Sequence, residues 1–142
     1  MHLSEILTIS GKPGLYKIVA QNPGRVIVES IPEGKRMPIF VRHNFSILND
    51  ISIFTYDEDL PLGDVLKSIY EKEDGKETIS HKADEKELEA KMLEVVPNYD
   101  KEEVRHADMR KLFKWYNLLI AQSLWTPEDM EEDDTESKDE EE

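Results

Sequence analysis

Apolar and polar positions follow two different rhythms along this chain, short turn-punctuated segments first and helical spacing afterwards. Leu15 to Gln21 is rich in β-branched and aromatic residues, and Asn22-Pro23-Gly24-Arg25 follows with proline at i+1 and glycine at i+2, the arrangement of a type II turn. Val26 to Ile31 is predicted to return as a second strand. Pro32-Glu33-Gly34-Lys35 turns again, and Arg36 to Val41 forms a third strand, whose Pro38 has no amide donor and therefore belongs at an edge or bulge. Ile51 to Tyr56 is the fourth. Strands starting near residues 15, 25, 36 and 51 lie too close together for crossover helices, so the pattern predicts a meander: a small antiparallel sheet or SH3-like partly open barrel. Before it, Leu3 to Ile9 is apolar at 3, 6, 7 and 9, which reads as a short flanking helix ended by Gly11-Lys12-Pro13-Gly14.

The rhythm changes at Asp59-Leu60-Pro61. Leu62, Val65, Leu66, Ile69 and Tyr70 follow the i, i+3, i+4, i+7, i+8 rule, so a helix is predicted to pack on the sheet. Glu71 to Lys82 has few apolar residues and includes Gly75, a flexible polar connector. Asp84-Glu85-Lys86-Glu87 has capping-box spacing and introduces Leu88, Met92, Val95 and Val96 before Pro97 stops the helix. Asp100-Lys101-Glu102-Glu103 repeats the box ahead of a long last helix, roughly 107–124.

The fold class expected is thus α+β. A β-rich unit over residues 1–72 is joined by a linker at 73–83 to a helical unit over 84–126, and residues 127–142 form an acidic tail. The last helix carries two apolar stripes: Met109, Leu112, Phe113, Tyr116 and Ile120 on one side, Trp115, Leu118 and Leu119 on another. Both need cover. Either the chain's own elements cover both, or Trp115, Leu118 and Leu119 meet a protein partner or a second copy.

Charge changes the picture once it is divided. The net charge is −14 over 142 residues, yet residues 1–56 carry +2, residues 57–127 carry −6 and residues 128–142 carry −10. The tail from Glu128 cannot bury enough apolar surface to offset its ordering entropy, so it is expected to be disordered and extended. It is long enough to fold back over the basic side of the sheet and compete with anionic partners; truncation after Pro127 would then raise anion binding. The opening segment offers Lys12, Lys17, Arg25, Lys35, Arg36 and Arg42 as candidate anion contacts, with Tyr16, Phe40, Phe45 and Tyr56 as stacking surfaces.

Chemistry is sparse. No cysteine is present, which removes disulfides, thiolate metal sites and cysteine catalysis. His2, His43, His81 and His106 lack the spacing of a metal site, and no cofactor is expected. Asp57-Glu58-Asp59 begins like a calcium loop, but Pro61, Leu62 and Ser68 stand where a ligand, a glycine and a glutamate are required. Gly11-Lys12-Pro13-Gly14 lacks the spacing and hydroxyl of a phosphate loop. No nucleophile elbow or tuned carboxylate pair stands out, which leaves no catalytic residue to name. With no secretory leader and no long apolar run, a soluble cytoplasmic protein is expected. The expected function is a non-catalytic protein-interaction or scaffold module. The alternatives are a nucleic-acid-associated small β protein and an enzyme whose site is assembled from distant residues.

Several segments together resemble an uncharacterised Bacteroidetes protein family. They are Ser10-Gly11-Lys12-Pro13-Gly14-Leu15-Tyr16-Lys17, Ile27-Val28-Glu29-Ser30 with Gly34-Lys35-Arg36, Ile51 to Thr55, Pro61-Leu62, Pro97-Asn98-Tyr99-Asp100 and Trp115-Tyr116-Asn117. The resemblance covers most of residues 1–125 and departs at Arg105-His106-Ala107-Asp108, where the family favours a Ser-Asp pair to start the last helix. It implies a two-part organisation, bacterial origin and cytoplasmic location, and no chemistry.

Overall fold

The structure, a computed structural model, describes residues 2–12, 14–31, 33–40 and 45–129. Arg42, His43 and the tail beyond Asp129 lie outside the described residues, as do Pro13, Pro32 and Val41. A 3-10 turn, Leu3–Glu5, leads into five strands: β1 (Ile6–Ile9), β2 (Leu15–Asn22), β3 (Arg25–Ile31), β4 (Arg36–Phe40) and β5 (Phe45–Ile47). A second 3-10 turn, Leu48–Asp50, then precedes β6 (Ser52–Ile53) and β7 (Leu60–Pro61). Three helices complete the chain: α1 (Leu62–Lys72), α2 (Glu85–Val95) and α3 (His106–Ala121).

Strands β1 to β5 form one open antiparallel sheet in the order β4-β3-β2-β1-β5, and β6 and β7 form a separate pair. The two expected hairpins are present. Gly24 supplies the positive φ of 79° that the Pro23-Gly24 turn requires, and Pro38 sits on the edge strand β4, where a missing donor costs little. A register shift between Ile18 and Ala20 bulges β2 and leaves Val19 exposed.

Residues 3–9 depart from the helix expected there. Only Leu3–Glu5 turns, closed by the Glu5 carboxylate accepting from the His2 amide, 3.0 Å. Ile6–Ile9 is the strand between β2 and β5. Two β-branched isoleucines flank Leu7 and Thr8, and pairing on both sides satisfies the backbone that a four-residue helix would leave open. The expected fourth strand also shrinks. Only Ser52–Ile53 pairs as β6, while β5 at Phe45–Ile47 takes the sheet edge instead.

Both faces of the sheet are apolar. Leu7, Ile9, Tyr16, Val28 and Ile39 form one buried cluster whose described members all lie on strands. Ile6, Leu15 and Ile31 face the other way. They join Leu62, Val65, Leu66 and Ile69 of α1, Leu88, Met92 and Val95 of α2, and Met109, Leu112, Phe113, Tyr116 and Leu119 of α3 in one core.

The 73–83 segment, expected as a flexible linker, is tied to α3 and α2. The Tyr116 hydroxyl donates to Lys76 O (2.7 Å), the Thr78 amide donates to Asn117 Oδ1 (2.7 Å), and Asn117 Nδ2 donates to Ile79 O (3.0 Å). Lys91 pairs with Glu73 at 2.9 Å, and Ile79 and Ala83 pack on the core. Sequence composition misses this because backbone carbonyls and amides, not apolar side chains, make most of the attachment. Gly75 enters the segment at φ 80°, which favours glycine, and a Cβ there would sit 3.2 Å from the Tyr70 hydroxyl, a tight contact.

The helix starts follow capping chemistry. Asp84 Oδ1 accepts from the Glu87 amide at 2.9 Å. Replacing Asp84 by alanine is expected to cost about 1 kcal/mol by urea denaturation, and no change would show that α2 is held by packing alone. Asp100 caps only a short turn, through the Glu102 amide at 2.9 Å, and α3 begins at His106 with the Asp108 carboxylate accepting from the Arg105 amide at 3.0 Å. Beyond α3, Trp125 is buried edge-on against Tyr70, ring centroids 6.4 Å apart. Asp129 closes a turn with Thr126, its carboxylate accepting from the Thr126 amide at 3.1 Å.

Candidate functional site

An open concavity lies where the β1–β2 turn and β5 face α3. It is an open groove of about 860 Å³ lined by Lys12, Phe45, Ser46, Lys111, Lys114 and Trp115, among others. Its walls have different origins. The turn is closed by the Lys12 amide donating to Ile9 O at 3.0 Å, with Gly11 and Gly14 both at φ 82°, and this sets Lys12 on one wall. On α3, positions 111, 114 and 115 are one turn apart, so two ammonium groups and an indole share the opposite wall.

The groove continues into a smaller recess of about 130 Å³, which shares Ile51, Asp108, Lys111 and Trp115 with it and adds Ile53, Phe54, Val104 and Leu112. Phe54 is held at its mouth by stitching between two loops. The Asp100 amide donates to Phe54 O (2.9 Å), the Tyr56 amide to Asn98 O (3.0 Å) and the Lys101 amide to the Tyr56 hydroxyl oxygen (3.1 Å). The Pro97-Asn98-Tyr99-Asp100 motif therefore has a structural task. So do Tyr116 and Asn117, through their bonds to residues 76–79. Trp115, beside them in sequence, has no such bond and is left partly exposed in the groove.

Electrostatically the groove is a cationic island. Among the described residues, Lys12, Lys111 and Lys114 make no ion pair, and the one acidic group in the lining, Asp108, is engaged as the cap of α3. His81 lies within electrostatic reach of Lys114. Burial first, then the charges of Lys114, Lys82 and Arg110, push its imidazole below the usual histidine range. At the other end of α3, His106 sits between Glu85 (3.2 Å) and Glu89 (2.5 Å) of α2 and ties the two helices. Among the described residues no group of three or more metal-ligating side chains is close enough to hold a metal ion.

The residues singled out from the sequence are dispersed. Trp115 lines the groove and Leu118 packs partly buried on the core, but Leu119 is fully buried and belongs to the interior. Of the five described candidate anion contacts only Lys12 reaches the groove. Lys17 and Arg36 are each 3.1 Å from Glu29, whose carboxyl they hold below the usual range, and Arg25 and Lys35 stand exposed elsewhere on the sheet. Arg42 lies outside the described residues. Tyr16 is buried and offers no stacking face, Phe45 lines the groove, and Phe40 and Tyr56 are exposed. Lys111 and Lys114 are the members that sequence reasoning missed. The signal was available, since both lie one turn before or beside Trp115 on a helix, but counting charge along an acidic segment hides it.

Two family models match the chain: Domain of unknown function (DUF5606) over residues 3–48 and Domain of unknown function (DUF6852) over residues 51–119. A Bacteroides vulgatus protein whose solution NMR structure was determined by structural genomics is similar throughout, with 39% sequence identity and a TM-score of 0.71. The likeness covers 87% of this chain and 89% of that one. No curated protein matches. No described helix is long and apolar enough to cross a membrane.

Proposed function

Since this chain belongs to the uncharacterised two-domain family that joins those two segments and includes the Bacteroides protein, we propose, from its own geometry, that it is a non-catalytic protein-interaction module. It docks a partner protein through the groove at Trp115. One observation carries the reading: a partly exposed indole and three lysines that make no ion pair among the described residues converge from two distant parts of the chain on one open groove. Tryptophan is among the residues most enriched in binding hot spots, and charges around such an anchor steer and orient the partner. A cytoplasmic setting is part of the same proposal.

We favour protein docking over the nucleic-acid alternative because Lys17 and Arg36, two of the basic residues that alternative would use, are paired with Glu29.

The test is capture of partners from nuclease-treated cells by the full chain and by Trp115→Ala, followed by titration with the purified partner. Trp115→Ala is expected to cost only about 1–2 kcal/mol in stability and to weaken the partner's affinity by tenfold or more, on the order of a hot-spot truncation. An unchanged affinity, or capture that disappears with nuclease, would reject the reading. Self-association lost in Trp115→Ala would give the groove to a second copy instead.

A further inference from the structure

We propose that the segment received by this groove is an acidic, extended stretch of the partner, one apolar side chain of which enters the recess between Trp115 and Phe54. The inference rests on the docking role given to the groove and adds the chemistry of what docks there.

Three features point to that occupant. First, cations stand on both walls, Lys12 on the β1–β2 turn and Lys111 and Lys114 on α3, so a run of carboxylates threading between them meets ammonium groups from either side. The hydroxyls of Thr8, Ser10 and Ser46 line the same stretch and donate to carboxylate oxygens as readily. Second, residues 1–127 carry a net charge of −4, so the body around the groove is mildly negative. An acidic segment gains little elsewhere on that body and is attracted here, which helps fix where it lands. Third, the recess that continues the groove is small and lined mainly by apolar side chains, Ile51, Ile53, Phe54, Val104, Leu112 and Trp115, with a volume of about 130 Å³. It has room for one aliphatic or aromatic side chain, a feature that a peptide supplies and a sugar–phosphate backbone does not.

Fluorescence anisotropy on the full chain separates these elements with three labelled peptides of about twelve residues, a length that spans a groove in extended form. One is rich in glutamate and aspartate with a single central phenylalanine, the second has serine in place of the phenylalanine, and the third keeps the phenylalanine among glycine and serine. The first is expected to bind, and to weaken about tenfold between about 50 mM and about 300 mM salt. Removing its phenylalanine is expected to cost about tenfold, the worth of one buried apolar side chain. The double substitution K111E and K114E is expected to weaken it by tenfold or more, with K111Q and K114Q giving a smaller loss in case charge reversal disturbs α3.

Equal binding of the neutral peptide would overturn the acidic assignment while leaving the groove as a docking surface. Acidic-peptide affinity untouched by either lysine pair, or no binding below about 1 mM, would also overturn it. Displacement of the acidic peptide by a single-stranded RNA would remove both this inference and the protein-docking role.

Discussion

Phe113→Ala is expected to remove about 3–5 kcal/mol of folding free energy, a large share of the roughly 5–15 kcal/mol that a domain of this size has in total. Phe113 has no exposed surface and lies on the face of α3 that packs with α1, α2 and the sheet in one core. Truncation therefore deletes the buried ring and leaves a void lined by residues from several elements, which cannot all close over it. Urea denaturation followed by circular dichroism measures the effect as a lower midpoint at similar slope. The control is Phe54→Ala, since Phe54 is 47% exposed and its loss should cost well under half as much. A Phe113→Ala protein within about 1 kcal/mol of the parent would mean that α3 is not where the interior converges.

Alkali should destabilise the protein through Tyr116. The ring is completely buried, its hydroxyl donates to Lys76 O at 2.7 Å, and burial, reinforced by Glu73 and Tyr70, pushes its pKa up to about 12. In the unfolded chain the phenol ionises near pH 10. The folded value is the higher one, so the contribution is complete below pH 10 and is lost as pH rises from there through about 12. The amount at stake is about 2–3 kcal/mol, from the difference between the two values. Burial raises Tyr99 as well, in the same sense. Tyr116→Phe should cost about 1 kcal/mol at neutral pH through the lost hydrogen bond and flatten the alkaline limb. Stability curves of the two proteins that remain parallel between pH 9 and 12 would refute the assignment.

How much of this was legible differs by element. The hairpin at Pro23-Gly24 and the helices α1 and α2 could be read directly, because turn residues and caps act locally and the apolar spacing was unambiguous. β1 was not. Leu3, Ile6 and Leu7 satisfy helical spacing, and a strand buried on both faces shows no alternation to contradict it; only its neighbours β2 and β5, far along the chain, decide the matter. The three-residue β5 is too short to carry a pattern at all.

The candidate site was half visible for the same reason. Trp115 announced itself as an aromatic on a second stripe, whereas Lys12 and Lys111 stand about a hundred positions apart in sequence and become neighbours only through the fold. Sequence spacing groups Trp115, Leu118 and Leu119 as one stripe, whereas Leu119, one helical turn from Trp115, lies on the side that α3 turns inward.

The boundary between the two matched segments falls between Leu48 and Ile51, and the common interior runs across it. Leu3, Ile6 and Leu48 from one side are buried with Leu62, Met92 and Phe113 from the other. Genetic shuffling that separated the halves would leave each with a raw hydrophobic flank, so selection can act on them only as an inseparable pair. Changes that alter one flank are then tolerated chiefly when the other adjusts to match, which ties the evolutionary fates of two stretches that sequence alone would treat as independent.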